Sequence, residues 1–206
     1  MTSKAETITE SGCWATSTNL NFLTEQLLDL FCNLAYQEGD FILSSGLRSS
    51  YYINKTQVTL HPQGALAIGR VVLSMLNTDI QAVSGLTMGA DPIVTAVSVI
   101  SALENRPIPA LIVRKEAKGH GTRAYIEGPT LAEGAKVIVL EDVVTTGKSA
   151  LKAVERLRMA GYEVDKIISL VDRKQGGAEL YESQKLKFAS VFDINQIQKR
   201  FKELNS

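Results

Sequence analysis

The chain has 206 residues, enough for one domain with a full core, and its 45% of apolar and 21% of charged residues are ordinary for a globular protein. Lysine plus arginine and aspartate plus glutamate both total 22, so the overall charge indicates neither a nucleic-acid-binding protein nor a protein of anionic membrane surfaces. No apolar run is long enough to span a bilayer, and no contact with a membrane is expected.

The N-terminal segment is rich in Ser and Thr and shows no periodicity. We expect residues 1–18 to form a mobile leader, with Trp14 docking on the body of the protein. This leader lacks the apolar stretch of a secretory signal, and the two cysteines, Cys13 and Cys32, lack the spacing of metal ligands. A reducing, cytoplasmic setting is therefore expected.

A helix and a hairpin are predicted next. An apolar stripe with helical spacing predicts a helix over residues 19–37, with Gly39 as its stop signal. Residues 41–54 contain two β-rich segments around Ser45-Gly46, which predicts a hairpin. We expect these elements, about residues 19–60, to form a small N-terminal hood.

Strand and helix patterns alternate through the rest of the chain. The predicted strands are 82–84, 109–113, 137–140, 164–171 and 186–191, and the predicted helices are 62–76, 92–104, 149–160, 177–183 and 195–204. This alternation predicts an α/β fold with a doubly wound parallel sheet. We expect a single domain over residues 19–206, with its core at about 62–206 and the hood over the carboxyl edge of the sheet.

The stretch from Val137 to Ala150 is the strongest indication of function. A buried strand is followed by Glu141 and Asp142, and then by a polar loop that contains Gly147 and opens a helix. A glycine and a helix N-terminus favour a bound phosphate, whereas two carboxylates favour sugar hydroxyls or Mg²⁺. The sequence therefore predicts a site for a ribose 5-phosphate.

A Walker A loop is the alternative for this stretch, because Gly147-Lys148-Ser149 resembles its end. Such a loop also needs a glycine five residues before its second glycine. That position is Asp142, whose carboxylate would repel a triphosphate, so we reject this interpretation.

A second loop, Gly85 to Asp91, joins a predicted strand to a helix in which Pro92 suits the first position. Asp91 is expected to cap that helix. The loop can present backbone N–H groups to a diphosphate, or it is only a tight connection.

The basic loop, residues 114–123, directly follows the strand that ends at Val113. Its cationic side chains are Arg114, Lys115, Lys118, Arg123 and, when protonated, His120. Glycines are interleaved with these cations, which predicts a mobile flap that binds a polyanionic ligand and excludes water. A solvated charged loop is the alternative.

Four segments resemble known families. Residues 141–147 resemble the phosphoribosyl diphosphate (PRPP) motif of type I phosphoribosyltransferases, in which two acids and two apolar residues precede a Thr/Gly-rich loop. Residues 41–52, 114–121 and 171–177 resemble the hood, catalytic loop and late-strand segments of the orotate phosphoribosyltransferase family. The four matches occur in the right order.

The resemblance implies the reaction of orotate with PRPP to give orotidine 5′-monophosphate and diphosphate in pyrimidine biosynthesis. It implies Mg²⁺ held mainly by PRPP and water, and a homodimer in which each basic loop acts in the partner's site. Lys118, Glu141 and Asp142 would be catalytic. The implied PRPP-binding residues are Arg114, Lys115, Lys118, His120, Glu141, Asp142, Val143, Val144, Thr145, Thr146, Gly147, Lys148 and Ser149. The implied orotate-binding residues are Tyr52, Thr145 and Arg173.

Three positions depart from the family pattern. Some members have Lys at the positions of Ser44 and Gly89, which leaves backbone groups to make those contacts here. Some have Asp in place of Glu141, which is longer and carries the same charge.

Two other functions compete with this interpretation. A purine phosphoribosyltransferase would share the PRPP motif, but the hood and Arg173 segments argue against it. A regulatory PRPP sensor without turnover need not keep the cations of the basic loop, which are intact, and would usually carry a nucleic-acid-binding segment. Arg173 is otherwise a surface ion-pair residue.

Overall fold

The structure is a computed structural model that describes residues 13–42, 48–118 and 124–206. The predicted turn at Ser45-Gly46, the departure at Ser44, and His120 and Arg123 of the basic loop lie outside the described residues.

A six-stranded sheet forms the centre of the fold. Its strands are β3 (Ala82–Leu86), β4 (Ala110–Val113), β5 (Ile126–Glu127), β6 (Val137–Val144), β7 (Lys166–Asp172) and β8 (Lys187–Asp193), and two further strands, β1 (Tyr36–Ile42) and β2 (Arg48–Ile53), lie in the hood. The order β5-β4-β3-β6-β7-β8 is parallel except for β5, which pairs antiparallel with β4. The predicted doubly wound sheet is confirmed.

Helices cover both faces of this sheet. They are α1 (Leu20–Leu30), α2 (Thr56–Thr59), α3 (Pro62–Ser74), α4 (Asp91–Leu103), α5 (Lys148–Met159), α6 (Gly177–Ser183) and α7 (Ile194–Leu204). Because side chains alternate along a strand, Ile138 and Leu140 of β6 pack with α1, α3, α4 and α7, whereas Val137 and Val139 pack with α5 and α6. No helix in the described part of the chain is long and apolar enough to cross a membrane.

The hairpin of the hood begins earlier than the sequence predicts. The first helix ends in a π-helical turn at Phe31–Ala35, and the antiparallel pair β1–β2 starts at Tyr36, opposite Ile53. Gly39 is therefore not a helix stop; it lies inside β1, in the irregular register between Glu38 and Phe41. The helix prediction to residue 37 was wrong because pairing with β2, a long-range contact, outweighs the local helical pattern.

The segment before α1 is packed against the body. Trp14–Thr16 form a short 3₁₀ turn in which Ala15 is fully buried and Trp14 contacts the core. Arg70 of α3 donates hydrogen bonds of 2.8 and 2.6 Å to the carbonyl oxygens of Thr16 and Ser17. The docking expected of Trp14 is thus present.

Two boundaries near the predicted site differ from expectation. The strand β6 continues to Val144, so that Glu141 and Asp142 lie within it, because pairing with β7 extends to Asp172. Asp91 does not cap α4; it is the first helical residue, and its Oδ2 accepts a hydrogen bond of 2.7 Å from the hydroxyl of Thr87.

Candidate functional site

The loop between β6 and α5 forms the first part of the site. Gly147 precedes α5 with a φ of +81°, a left-handed conformation that favours glycine. A Cβ there would lie 2.8 Å from Cε1 of Tyr181, which leaves no room for a side chain. The ring of Tyr181 thus limits how closely this loop can approach α6.

A cavity of about 90 Å³ lies at this loop. It is lined by Glu141, Val143, Val144, Thr145, Thr146, Gly147, Lys148, Ser149, Ala150 and Tyr181. Most residues of the predicted PRPP motif are therefore brought together around one space at a helix N-terminus, where an anion is favoured. Tyr181 is fully buried, and its hydroxyl has no hydrogen-bond partner among the described residues.

The two acids of the motif are buried beside this cavity. Burial, and after it the charge of Asp142, raise the pKa of the Glu141 carboxyl well above its ordinary value, while Lys55 opposes this shift. The Oε2 atom of Glu141 has no hydrogen-bond partner within the described chain. An unpaired buried carboxyl oxygen is costly, and a ligand hydroxyl or a metal-bound water would satisfy it.

Asp142 is already engaged on both oxygens. Its Oδ1 accepts a hydrogen bond of 2.6 Å from the backbone N–H of Val143. Its Oδ2 forms an ion pair with Nζ of Lys55 at 2.9 Å but accepts no hydrogen bond from the described residues. The second loop packs against the same carboxylate, because a Cβ on Gly89 would be 2.2 Å from Oδ2. The hood, the β3–α4 loop and the end of β6 thus converge on one side chain.

Arg173 joins the end of β7 to the hood. It is 8% exposed, and it donates hydrogen bonds of 3.0 Å from Nε to the Tyr51 hydroxyl and 3.2 Å from Nη2 to the Ser49 hydroxyl. The ion-pair alternative for Arg173 finds no acidic partner in the described part of the chain. Tyr51 and Tyr52 face opposite sides: Tyr51 contacts Arg173, whereas the exposed ring of Tyr52 lies 5.7 Å from that of Phe41.

The cations of the basic loop are held apart from the buried acids. Arg114 Nη1 and Lys118 Nζ lie 3.0 and 3.5 Å from Oε1 of Glu127 on β5. Lys115 is exposed. Among the described residues, no ion pair joins Lys118 or Arg114 to Glu141 or Asp142.

The base of the basic loop is fixed by α5. Arg156 donates hydrogen bonds to the carbonyl oxygens of Arg114 and Lys115, and its guanidinium lies 4.0 Å from the ring centroid of Tyr125. The backbone N–H of Lys118 donates a hydrogen bond of 2.7 Å to the carbonyl oxygen of Ala124, which joins the two ends of the loop. The helix that begins at the anion cavity therefore also positions the basic loop.

Sequence reasoning missed four residues of this arrangement: Lys55, Glu127, Arg156 and Tyr181. Each acts through a contact distant in sequence, and no local motif contains it. Ser49 and Tyr51 belonged to the recognised hood segment, but nothing local indicated which tyrosine meets Arg173.

The arrangement offers three kinds of binding in a row. A helix N-terminus with hydroxyl side chains suits a phosphate, a pair of buried carboxylates suits a diol, and a guanidinium held by the hood suits a carboxylate or a ring carbonyl. A molecule with a phosphate and vicinal hydroxyls, reacting with an anionic ring, satisfies all three.

Comparison with known proteins gives the same chemistry. The family described as "Phosphoribosyl transferase domain" matches residues 56–202. An orotate phosphoribosyltransferase from Nostoc sp. is 68% identical over 206 residues, which are 100% of both chains. One from Synechocystis sp. is 64% identical over 179 residues, covering 87% of this chain and 90% of the relative.

A solved structure extends the similarity to three dimensions. Orotate phosphoribosyltransferase of Mycobacterium tuberculosis H37Rv, in complex with PRPP, superposes with a TM-score of 0.71 at 36% identity. The match covers 85% of this chain and 99% of that one.

Proposed function

The chain belongs to the orotate phosphoribosyltransferases, which transfer the 5-phosphoribosyl group from PRPP to orotate in pyrimidine biosynthesis, and we propose that it does so as a Mg²⁺-assisted homodimer. The products are orotidine 5′-monophosphate and diphosphate. The observation that carries the assignment of residues is the buried Glu141–Asp142 pair beside the cavity of the β6–α5 loop.

The phosphoribosyl group binds in the cavity at the β6–α5 loop. The backbone and hydroxyl donors of residues 144–149 bind the 5-phosphate at the N-terminus of α5. Glu141 and Asp142 accept hydrogen bonds from the ribose hydroxyls. They also position and stabilise the positive charge that develops on the sugar ring as the bond to diphosphate breaks.

Orotate lies between this loop and the hood. Arg173 binds its carboxylate or a ring carbonyl, oriented by the hydroxyls of Tyr51 and Ser49. Thr145, half-buried at the end of β6, lies on the same edge of the sheet and supplies a hydroxyl. Tyr52 lies on the other face of β2, so its contact with the ring requires a movement of the hood.

The basic loop neutralises the leaving diphosphate. Lys118 is the main catalytic residue of this loop, and Arg114, Lys115 and His120 bind the diphosphate with it. Lys118 and Arg114 are paired with Glu127 at a surface position, where such an ion pair is weak. A polyanionic ligand can therefore draw both cations away from Glu127.

A Mg²⁺ ion fits the donor set of this site. Mg²⁺ usually keeps several waters and binds substrate phosphates, so PRPP and water would hold it here, beside the Glu141–Asp142 pair, where the unpaired oxygen of Glu141 could accept a hydrogen bond from a metal-bound water. The ion would share the negative charge that grows on the diphosphate. The residues of this chain bind, orient and shield the substrate.

A homodimer is supported by an exposed apolar groove of about 570 Å³ on α3 and α4. The groove is lined by Leu60, Leu66, Pro92, Ala96 and Val99, and Leu60 is 67% exposed. The groove adjoins Asp91 and Thr59, close to the β3–α4 loop.

Mixing two inactive variants tests the action of the basic loop in trans. Lys118→Ala removes the loop cation and Asp142→Asn impairs the ribose site. In a mixed dimer one of the two sites combines an intact Asp142 with an intact partner loop. Random pairing makes about half of the dimers mixed, so the total activity should return to about a quarter of that of the wild type. Loops that act in their own subunit would leave every mixture inactive.

A cytoplasmic location is part of the proposal. Both cysteines are free thiols, with Cys13 exposed and Cys32 buried, which suits a reducing compartment.

The decisive experiment is the loss of orotate absorbance when the protein is mixed with PRPP, with and without Mg²⁺. We expect metal-dependent loss and recovery of orotidine 5′-monophosphate. Binding of PRPP without consumption of orotate would refute the proposed activity and favour a sensor or a different base.

A further inference from the structure

Lys55 reaches from the hood to the buried carboxylate at the end of β6. It immediately precedes α2, and its Nζ lies 2.9 Å from Oδ2 of Asp142. The Asp142 side chain is 3% exposed, whereas that of Lys55 is 38% exposed. The lysine therefore forms the boundary between this carboxylate and solvent.

Both oxygens of Asp142 already lie against protein groups. Its Oδ1 is bonded to the backbone N–H of Val143 at 2.6 Å, and its Oδ2 is paired with Lys55. Gly89 encloses Oδ2 from another direction, since a Cβ there would lie 2.2 Å away. A hydroxyl that approaches Oδ2 therefore competes with the ammonium of Lys55 for this oxygen.

The displaced ammonium can form an ion pair with the diphosphate of the substrate. PRPP carries its diphosphate on the carbon next to the ribose hydroxyls, so the ligand that displaces Lys55 brings a polyanion to the same place. Lysine is a compact charge on a flexible four-carbon chain, and its head can move by several ångströms while the backbone stays fixed.

We propose that Lys55 is a PRPP-binding residue, which neutralises Asp142 before binding and moves to the diphosphate when the ribose hydroxyls replace it. The inference rests on the proposed function for the identity of the ligand. Lys55 is a source of positive charge that belongs to the hood and does not depend on closure of the basic loop.

Comparison of two ligands distinguishes this exchange from a structural role. Ribose 5-phosphate has the sugar hydroxyls but no diphosphate. We expect Lys55→Met to weaken PRPP binding in calorimetry by about ten-fold or more, because a charge-assisted contact is lost. Binding of ribose 5-phosphate should stay the same or become tighter, since Asp142 is then free.

Kinetics provide a second readout. In Lys55→Met the KM for PRPP should rise while the KM for orotate stays close to that of the wild type. Lys55→Arg, which keeps the charge, should restore most of the PRPP affinity. Lys136→Met is the matched control, because Lys136 pairs with Asp79 at 2.7 Å at the opposite end of β6 and should change neither ligand's affinity.

Equal weakening of PRPP and ribose 5-phosphate would overturn the proposal, since Lys55 would then only orient Asp142. Unchanged PRPP affinity would overturn it as well. If Lys55→Met does not fold, the same measurements are made on Lys55→Gln, which keeps a hydrogen-bond donor for Asp142. Calorimetry without orotate tests Lys55 whether or not turnover is found, so failure of this inference is distinct from failure of the proposed activity.

Discussion

The Nε atom of Arg173 donates a hydrogen bond of 3.0 Å to the hydroxyl of Tyr51, which links the end of β7 to the hood strand β2. The guanidinium also lies 4.6 Å from the centroid of the same ring. A long, flexible cation is thus held in one orientation by a rigid partner before any ligand binds. Such preorganisation lowers the entropic cost of orienting Arg173 towards orotate.

Tyr51→Phe tests this orienting role. The substitution removes the hydroxyl and keeps the ring, which is stacked on Tyr36 with ring centroids 5.8 Å apart. We expect the KM for orotate to rise about ten-fold, because hydrogen bonds to charged groups contribute about 1.5–3 kcal/mol, while the KM for PRPP changes little. Steady-state kinetics measure both.

Tyr52→Phe is the control for that substitution, since it removes a hydroxyl that does not contact Arg173 and keeps the ring that would cover orotate. An equal rise in both variants would contradict a specific role for Tyr51.

Lys118→Ala should lower kcat by about 10² to 10³, because removing one preorganised group that stabilises developing charge has effects of this size. The free energy of unfolding should not change, since the Lys118 side chain is 71% exposed and its pairing with Glu127 is a surface contact. Single-turnover kinetics and urea denaturation measure the two effects. Turnover close to that of the wild type would refute the role assigned to Lys118.

The sequence predicted those parts of the site that lie within one local segment. The strand–acid–loop–helix stretch around Glu141 could be recognised because buried strands, carboxylates and loop glycines have local signatures. Lys55 could not be recognised, because its contact with Asp142 depends on how the hood folds back over the sheet. The end of the first helix was misplaced at residue 37 for the same kind of reason, since the strand beginning at Tyr36 is fixed by pairing with Ile53.

Gly147→Ala should destabilise the protein through both conformation and space. A left-handed alanine costs about 1–2 kcal/mol, and the contact of its Cβ with the Tyr181 ring adds about 1–3 kcal/mol of overpacking. PRPP binding should weaken as well, because the loop must shift. Urea denaturation and calorimetry measure these changes.

Gly176→Ala is the matched control for Gly147→Ala. Gly176 also has a positive φ, of +96°, but a Cβ there would meet nothing within 4 Å. The difference between the two variants isolates the contact with Tyr181. Equal loss of stability in both would mean that the loop adapts and that Tyr181 does not limit its distance from α6.

Glu141 should make the stability of the ligand-free protein depend on pH. Burial and the charge of Asp142 raise its pKa, Lys55 opposes them, and Tyr181 is the other titratable group facing it. The folded state therefore keeps a proton that the unfolded chain releases near its ordinary pKa of about 4.3. Between that value and the raised pKa of the folded state, the unfolded chain binds fewer protons, so stability falls as pH rises.

Glu141→Gln removes this titration, so the difference in unfolding free energy between the wild type and the variant isolates it. As pH rises, the wild type should lose stability relative to the variant by up to about 1.4 kcal/mol per pH unit, and the loss should level off above the pKa of the folded state. Urea denaturation from about pH 5 to pH 9 measures the difference across this window. Glu182→Gln, at an exposed position on α6, controls for the loss of a carboxylate. A difference that does not change with pH would mean that Glu141 is ionised in the empty site, and the ribose hydroxyls would then meet two carboxylates that are already charged.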